Sequence, residues 1–299
     1  MIKAVIDIGT NSTRLYVADV NGTKQNQILK MLSTTRLGEG ILSSDKMQDI
    51  PMERTSNTVR DFVNIARENN AEEIYIYATA VVRESKNKDI FSKMIFDKTG
   101  IVLDIIPGGL EGEIAFIGAS QDFPYPMVID IGGGSTEVVL KENGVLKALS
   151  LKTGGVRLKE QFMTESGIID ISSVKDFVSK NYIPEYKKHL DISSAETLIG
   201  VSGTPTTLVS LSNGLKTYCP EKIQNALLSK NVLDSELNKL ASMTNEERRL
   251  YSGDFASRAD IIVFGGCILS AFMEYYKFSQ LIVSDRDSLE GYMELKNKG

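Results

Sequence analysis

Three acids sit where the chain turns on small residues. Asp7 lies in VIDIGTNSTRLYV, which begins at Val5; Asp130 and Glu137 lie in VIDIGGGSTEVVL, which begins at Val128. Laid over each other without gaps, the two segments share Val, Ile, Asp, Ile, Gly, Ser and Thr at the same positions. Each reads as strand, tight turn, strand, with the acid at the mouth of the turn. The turn Gly132, Gly133, Gly134, Ser135, Thr136 lets backbone N–H groups approach an anion with no Cβ in the way. Asp130 and Glu137 flank that turn, so both can reach one divalent cation, and Asp7 offers a carboxylate in the first copy. Carboxylates acting through Mg²⁺ supply the countercharge a phosphate site needs. A plain hairpin with capping acids explains one such segment, and a solvent-facing strand position explains Glu137. The echo between the copies favours a phosphate site.

Further candidates follow the same logic. Glu111 and Glu113 come after Gly108 and Gly109 at a strand-to-helix turn, where a carboxylate can activate water. A first-turn Glu is also simply favourable at a helix N-terminus, and spacing alone leaves both readings open. Arg83 follows the strand IYIYAT and reads as a phosphate clamp, or else as a surface partner of Glu84 or Asp104. Arg36, before LGEG, is a weaker clamp, and Arg157 and Arg258 are placed to reach an anionic site. Ser202, Gly203, Thr204 and Thr206 form a third small-residue turn. It suits another phosphate contact, or an N-cap at Thr204 with Pro205 in the first helical position. The run Glu246, Glu247, Arg248, Arg249 reads as a solvated helix face.

Positioning these groups takes strands that alternate with helices, the pattern of an α/β fold. Strands are expected over Val5–Asp19 as a pair, up to Arg36, from Ile74, from Ile101, through the second copy, from Leu198 and from Gln280. Helices are expected from Pro51 to Asn69, from Arg83, after the PGGLEGE turn, through most of Asp234–Tyr276, and from Ser288 to Asn297. Two copies of one hairpin predict two similar domains facing across a cleft, with QDFPYP from Gln121 as the crossing.

Bulk properties narrow the class. The 299 residues suffice for two domains, and 42% hydrophobic with 24% charged residues are values of a globular protein. A net charge of −5 gives no basic footprint for duplex nucleic acid. The single histidine, His189, argues against a histidine metal site or a Ser-His-Asp triad. Cys219 and Cys267 lie outside any metal spacing and read as reduced thiols in a cytoplasmic protein. No signal sequence is expected at the start, and the apolar run Ile261–Met273 is too short to span a bilayer.

With these motifs in place, the chain resembles the exopolyphosphatase / guanosine pentaphosphate phosphohydrolase (Ppx/GppA) family of the actin–hexokinase–heat-shock chaperone superfamily. The resemblance runs through DIGTNST at Asp7, RLGEG at Arg36, TAVVRE at Thr79 and PGGLEGE at Pro107. It continues through DIGGGSTE at Asp130, GGVRL at Gly154, SGTPTTL at Ser202, RADII at Arg258 and VSDR at Val283. It implies two duplicated actin-like (ribonuclease H-like) domains with mixed sheets flanked by helices and an interdomain cleft. They would span 1–122 with 285–299, and 123–284, in a short form without the helical C-terminal extension of longer members. The family's catalytic glutamate falls on Glu111, although GLEGE departs from the usual pair of adjacent glutamates and a one-residue shift would choose Glu113. Its metal ligands fall on Asp130 and Glu137. Its phosphate contacts fall on Asn11, Ser12, Arg83, Gly132, Gly133, Gly134, Ser135, Gly203 and Thr204, with Asp7 and Arg36 nearby in the cleft.

The expected reaction is Mg²⁺-dependent hydrolysis of a terminal phosphoanhydride, with other divalent cations and K⁺ left open. The expected substrate is inorganic polyphosphate; the alternative is guanosine pentaphosphate. A non-catalytic sensor of guanosine tetra- or pentaphosphate, and a small-molecule kinase of the same superfamily, are the rival readings. The expected setting is cytoplasmic, with no duplex nucleic acid and no membrane as partner, and a homodimer left open.

Overall fold

The computed structural model describes residues 1–41, 45–121 and 123–298. The chain divides into two compact units, Met1–Gly118 with Ser288–Gly299, and Ala119–Asp287. The sequence reading divides it at 122/123 and 284/285; Asp122 and Gly299 lie outside the described residues.

The first unit is built on β1 (Ile2–Ile8), β2 (Thr13–Asn21), β3 (Lys24–Ser33), β4 (Glu73–Ala78) and β5 (Leu103–Ile105), in the order β3-β2-β1-β4-β5. β1, β2 and β3 pair antiparallel in sequence, while β1–β4 and β4–β5 are parallel. β1 is apolar at successive positions because both of its faces are covered. Ala4, Ile6 and Ile8 enter one hydrophobic cluster with Val59, Phe62 and Val63 of the helix Asp49–Glu68. Val5 enters another with Tyr77 and with Leu289, Tyr292 and Met293 of the last helix, Ser288–Lys298.

In the second unit β6 (Pro126–Ile131), β7 (Thr136–Glu142), β8 (Val145–Leu151), β9 (Thr197–Val201), β10 (Ala226–Ser229) and β11 (Gln280–Val283) lie in the order β10-β11-β9-β6-β7-β8. β6 pairs antiparallel with β7 and parallel with β9, as β1 does with β2 and β4. Met127, Ile129 and Ile131 face a large cluster that takes in Leu208 and Val209 of the helix Gly203–Ser212 and Phe264, Ile268 and Phe272 of the helix Ile262–Tyr276. Asp130, between Ile129 and Ile131, therefore stands on the other face. Among the described residues no single helix is long and apolar enough to cross a membrane, and Ile262–Met273 is buried.

Four local readings need correction. Arg83 is the fourth residue of the five-residue helix Ala80–Glu84 rather than the opening of one. Gly108 and Gly109 are the first helical residues of Gly108–Ala119, not a turn before it, so Glu111 stands in the first helical turn. The third small-residue turn has Ser202, not Thr204, at the N-cap, and Pro205 is the third helical residue. The charged run at Glu246 is not uniformly solvated, because Arg248 has no exposed surface.

Candidate active site

In the second unit, Asp130 and Glu137 are direct partners across β6 and β7, so their carboxylates share one face. They are 6% and 1% exposed, which overturns the solvent-facing alternative for Glu137. Ser150 on β8 donates its hydroxyl to Glu137 Oε1 at 2.6 Å. Two buried carboxylates side by side repel each other. That donor set suits a hard cation that keeps some waters and takes its other oxygens from a phosphate. Among the described residues no group of three or more His, Cys, Asp or Glu side chains is placed to hold a metal ion.

The turn between those strands is closed by Gly132 N–H on Ser135 O at 3.0 Å. Its carbonyls are taken from below. Gly155 N–H donates to Gly132 O at 3.0 Å, Val156 N–H to Gly133 O at 2.9 Å, and Arg157 Nε to Gly134 O at 2.7 Å. The start of the helix Gly155–Phe162 thus holds the turn's acceptors, and the donors left in the turn are the amides of Gly133, Gly134 and Ser135. Gly154 permits this contact, since a Cβ there would lie 2.5 Å from Gly133 O.

The third turn lies beside the second. Thr204 Oγ1 donates to Ile131 O, the last carbonyl of β6, at 3.2 Å. Ser202 has φ 65° and ψ −166°, a region that costs a residue other than glycine about 1–3 kcal/mol. Its carbonyl accepts the Thr206 hydroxyl at 2.8 Å, which helps to hold that conformation. A Cβ on Gly203 would fall 1.4 Å from Arg258 Nη1, so the absent side chain is what lets the Arg258 guanidinium lie on the turn.

In the first unit, the Asn11 turn repeats the geometry of the glycine turn. Gly9 N–H donates to Ser12 O at 3.0 Å, and the carbonyls of Thr10 and Asn11 accept from Gly38 N–H at 2.9 Å and Arg36 N–H at 2.8 Å. Asn11 Nδ2 reaches Ser12 Oγ at 3.3 Å. Arg36 therefore meets the turn through its backbone, in a left-handed conformation with φ 51°. Asp7 differs from its counterpart Asp130. Its cross-strand partner is Arg14, whose Nη2 and Nε lie 2.6 and 3.0 Å from Asp7 Oδ2. Asp7, expected only as a cleft residue, is thus paired with a guanidinium.

Arg83 and Glu111, distant in sequence, come together. Arg83 Nη1 lies 2.9 Å from both Glu111 Oε2 and the carbonyl of Ile106. Neither surface partner weighed for Arg83 takes this role, and Asp104 instead accepts from Tyr292 Oη at 2.6 Å and Lys296 Nζ at 3.3 Å. Glu113 is half-buried one turn edge further on. Sequence reasoning missed Arg14 and Ser150. Arg14 carried a usable signal, for it aligns with Glu137 in the duplicated segment.

A family model described as the Ppx/GppA phosphatase family matches residues 16–296. The chain is 33% identical over 305 residues to the bifunctional 3-dehydroquinate synthase/phosphatase of Fusobacterium nucleatum, covering 97% of this chain and 46% of that one, so it spans under half of that relative's length. It is 30% identical over 308 residues to Exopolyphosphatase 2 of Mycobacterium tuberculosis, with 96% of each chain covered. The crystal structure of the Aquifex aeolicus member of the Ppx/GppA family superposes with a TM-score of 0.81 at 27% identity, over 99% of this chain and 97% of that one. The two mixed sheets flanked by helices are those of the actin-like fold.

Proposed function

The chain belongs to the Ppx/GppA phosphatase family, and we propose on that premise that it is an exopolyphosphatase, hydrolysing the terminal phosphoanhydride of inorganic polyphosphate. The observation that carries the reading is the pair of buried carboxylates, Asp130 and Glu137, opposed beside a turn whose remaining groups are amide donors. Anion donors next to paired carboxylates suit a phosphate bound with a divalent cation. The 30% identity to a relative named Exopolyphosphatase 2 supports the polyphosphate reading.

Asp130 and Glu137 would hold Mg²⁺, which when bound supplies countercharge to the non-bridging oxygens of the substrate. The amides of Gly133, Gly134 and Ser135 and the Arg258 guanidinium bind phosphoryl oxygens. In the first unit, the Asn11 and Ser12 turn offers the same kind of donors. Arg83 fixes the Glu111 carboxylate through Nη1, and its other N–H groups are suited to the phosphoryl group that water attacks. Glu111 orients that water and accepts its proton. Holding the groups in place and answering charge supply most of the rate, as in phosphoryl transfer generally.

Phosphate release from long-chain polyphosphate and from guanosine pentaphosphate, assayed side by side with and without Mg²⁺ and K⁺, tests this. The expected result is faster, Mg²⁺-dependent release from polyphosphate, cut about 10²–10⁴-fold by Glu111→Gln. Release from the nucleotide alone assigns the enzyme to that substrate. Unchanged turnover in Glu111→Gln removes Glu111 as the base.

A further inference from the structure

The segment NEERRL carries four charges in a row and looks like a solvated surface. Three of its members behave so. Glu246 and Arg249 are exposed, and Glu247 closes a capping box with Thr244. Arg248 does not. It is 0% exposed and is the largest side chain among the fully buried. Its guanidinium donates to four backbone carbonyls, at 2.9 Å to Ala259, 3.1 Å to Leu240, 2.7 Å to Met243 and 2.9 Å to Gly167. Burial holds the Arg248 guanidinium below its ordinary pKa, and the charge of Asp260 works against that shift. A buried arginine is costly to retain. An apolar residue would pack the same helices, but it would leave those carbonyls unpaired.

One of the four contacts stands next to the candidate site. Ala259 lies between Arg258, whose guanidinium occupies the space over Gly203, and Asp260, which is 4% exposed. Lys159 Nζ meets Asp260 Oδ2 at 2.6 Å, and Lys159 belongs to the helix whose first residues hold the carbonyls of the glycine turn. The stretch Arg258–Asp260 therefore touches the Gly203 turn directly and is tied through Lys159 to the helix that holds the glycine turn, and Arg248 grips it from inside through the Ala259 carbonyl.

We propose that Arg248 is a positioning residue: it fixes the Arg258–Asp260 stretch so that the Arg258 guanidinium stays on the Gly203 turn in the geometry that receives a phosphate. The proposal rests on the reading that these turns bind phosphate. It differs from a purely structural role in one respect, that the effect of Arg248 on ligand binding must run through Arg258.

The test is the affinity of the full chain for inorganic tripolyphosphate with Mg²⁺, by calorimetry, together with the melting temperature of each variant. Arg258→Ala is expected to weaken binding about tenfold, equal to about 1.4 kcal/mol. Arg248→Lys keeps the charge but cannot reach four carbonyls in a fork, and is expected to weaken binding by a similar factor. In the Arg258→Ala background the same change is expected to alter affinity less than about twofold, because coupled sites are not additive. Should Arg248→Lys fail to fold, Asp260→Asn loosens the same stretch from its Lys159 side and is expected to show the same dependence on Arg258. An equal loss with and without Arg258, or unchanged affinity in either folded variant, overturns the proposal. Absence of tripolyphosphate binding by the unaltered chain overturns the phosphate reading and this proposal with it, so the two failures are told apart.

Discussion

One aligned position separates the chemistry of the two duplicated hairpins. Arg14 in the first and Glu137 in the second occupy the same place opposite an aspartate. In the first hairpin the acid is answered within the protein, since Asp7 is 5% exposed and bonded to a guanidinium that also reaches Ser288 Oγ at 3.0 Å. In the second, a carboxylate faces a carboxylate. Arg14→Met should therefore strand a buried charge and cost about 3–5 kcal/mol of stability. Glu137→Gln keeps an acceptor for Ser150 and removes one of two like charges, so it should cost far less in protein stripped of metal. Urea unfolding of both variants in chelator separates the cases, and equal losses would refute this account of the duplication.

At the scale of elements, the turns are set by glycines whose Cβ would strike backbone. Gly154→Ala places a methyl 2.5 Å from Gly133 O, so either the helix or the glycine turn must move. The expected cost is about 1–3 kcal/mol, with a loss of phosphate affinity, because backbone cannot yield as a flexible side chain does. Gly109, helical with open space around its Cβ position, is the counter-case: Gly109→Ala should stabilise by about 0.4–1 kcal/mol. Melting curves of the pair check both signs. The same contrast shows what a sequence discloses. The hairpins were legible because acid, small-residue turn and apolar flanks recur in one short window, where the physics is local. The helix at Gly108 was misplaced because two glycines argue for a turn by propensity, whereas glycine is tolerated at a helix start. Arg83 with Glu111, and Arg248 with its four carbonyls, were illegible as pairs because each contact joins stretches that only the folded sheet and helices bring together. Composition alone gave Arg248 a solvated face, since nothing in NEERRL records carbonyls at Gly167 or Ala259.

For the whole molecule, the same nonlocality decides which pieces can fold alone. The second unit holds its six strands and its main hydrophobic cluster within Ala119–Asp287. The first unit does not close within Met1–Gly118, because the third cluster draws Leu289, Tyr292 and Met293 from the end of the chain. Tyr292 stacks on Tyr77 with ring centroids 4.4 Å apart, and Lys30 meets Glu290 at 2.8 Å. The last helix also lies close against Ile114, where Gly291 leaves no room for a Cβ, only 1.7 Å from the Ile114 carbonyl. Burying three large apolar side chains is worth about 1.5–3 kcal/mol each, comparable with the whole stability of an ordinary domain. A fragment of residues 119–287 is therefore expected to melt cooperatively by circular dichroism. A fragment of residues 1–118 is expected to show no cooperative melt until residues 288–298 are joined to it by a flexible linker. A cooperative melt of 1–118 by itself would mean that the returning helix is an accessory to the first unit and not part of its core.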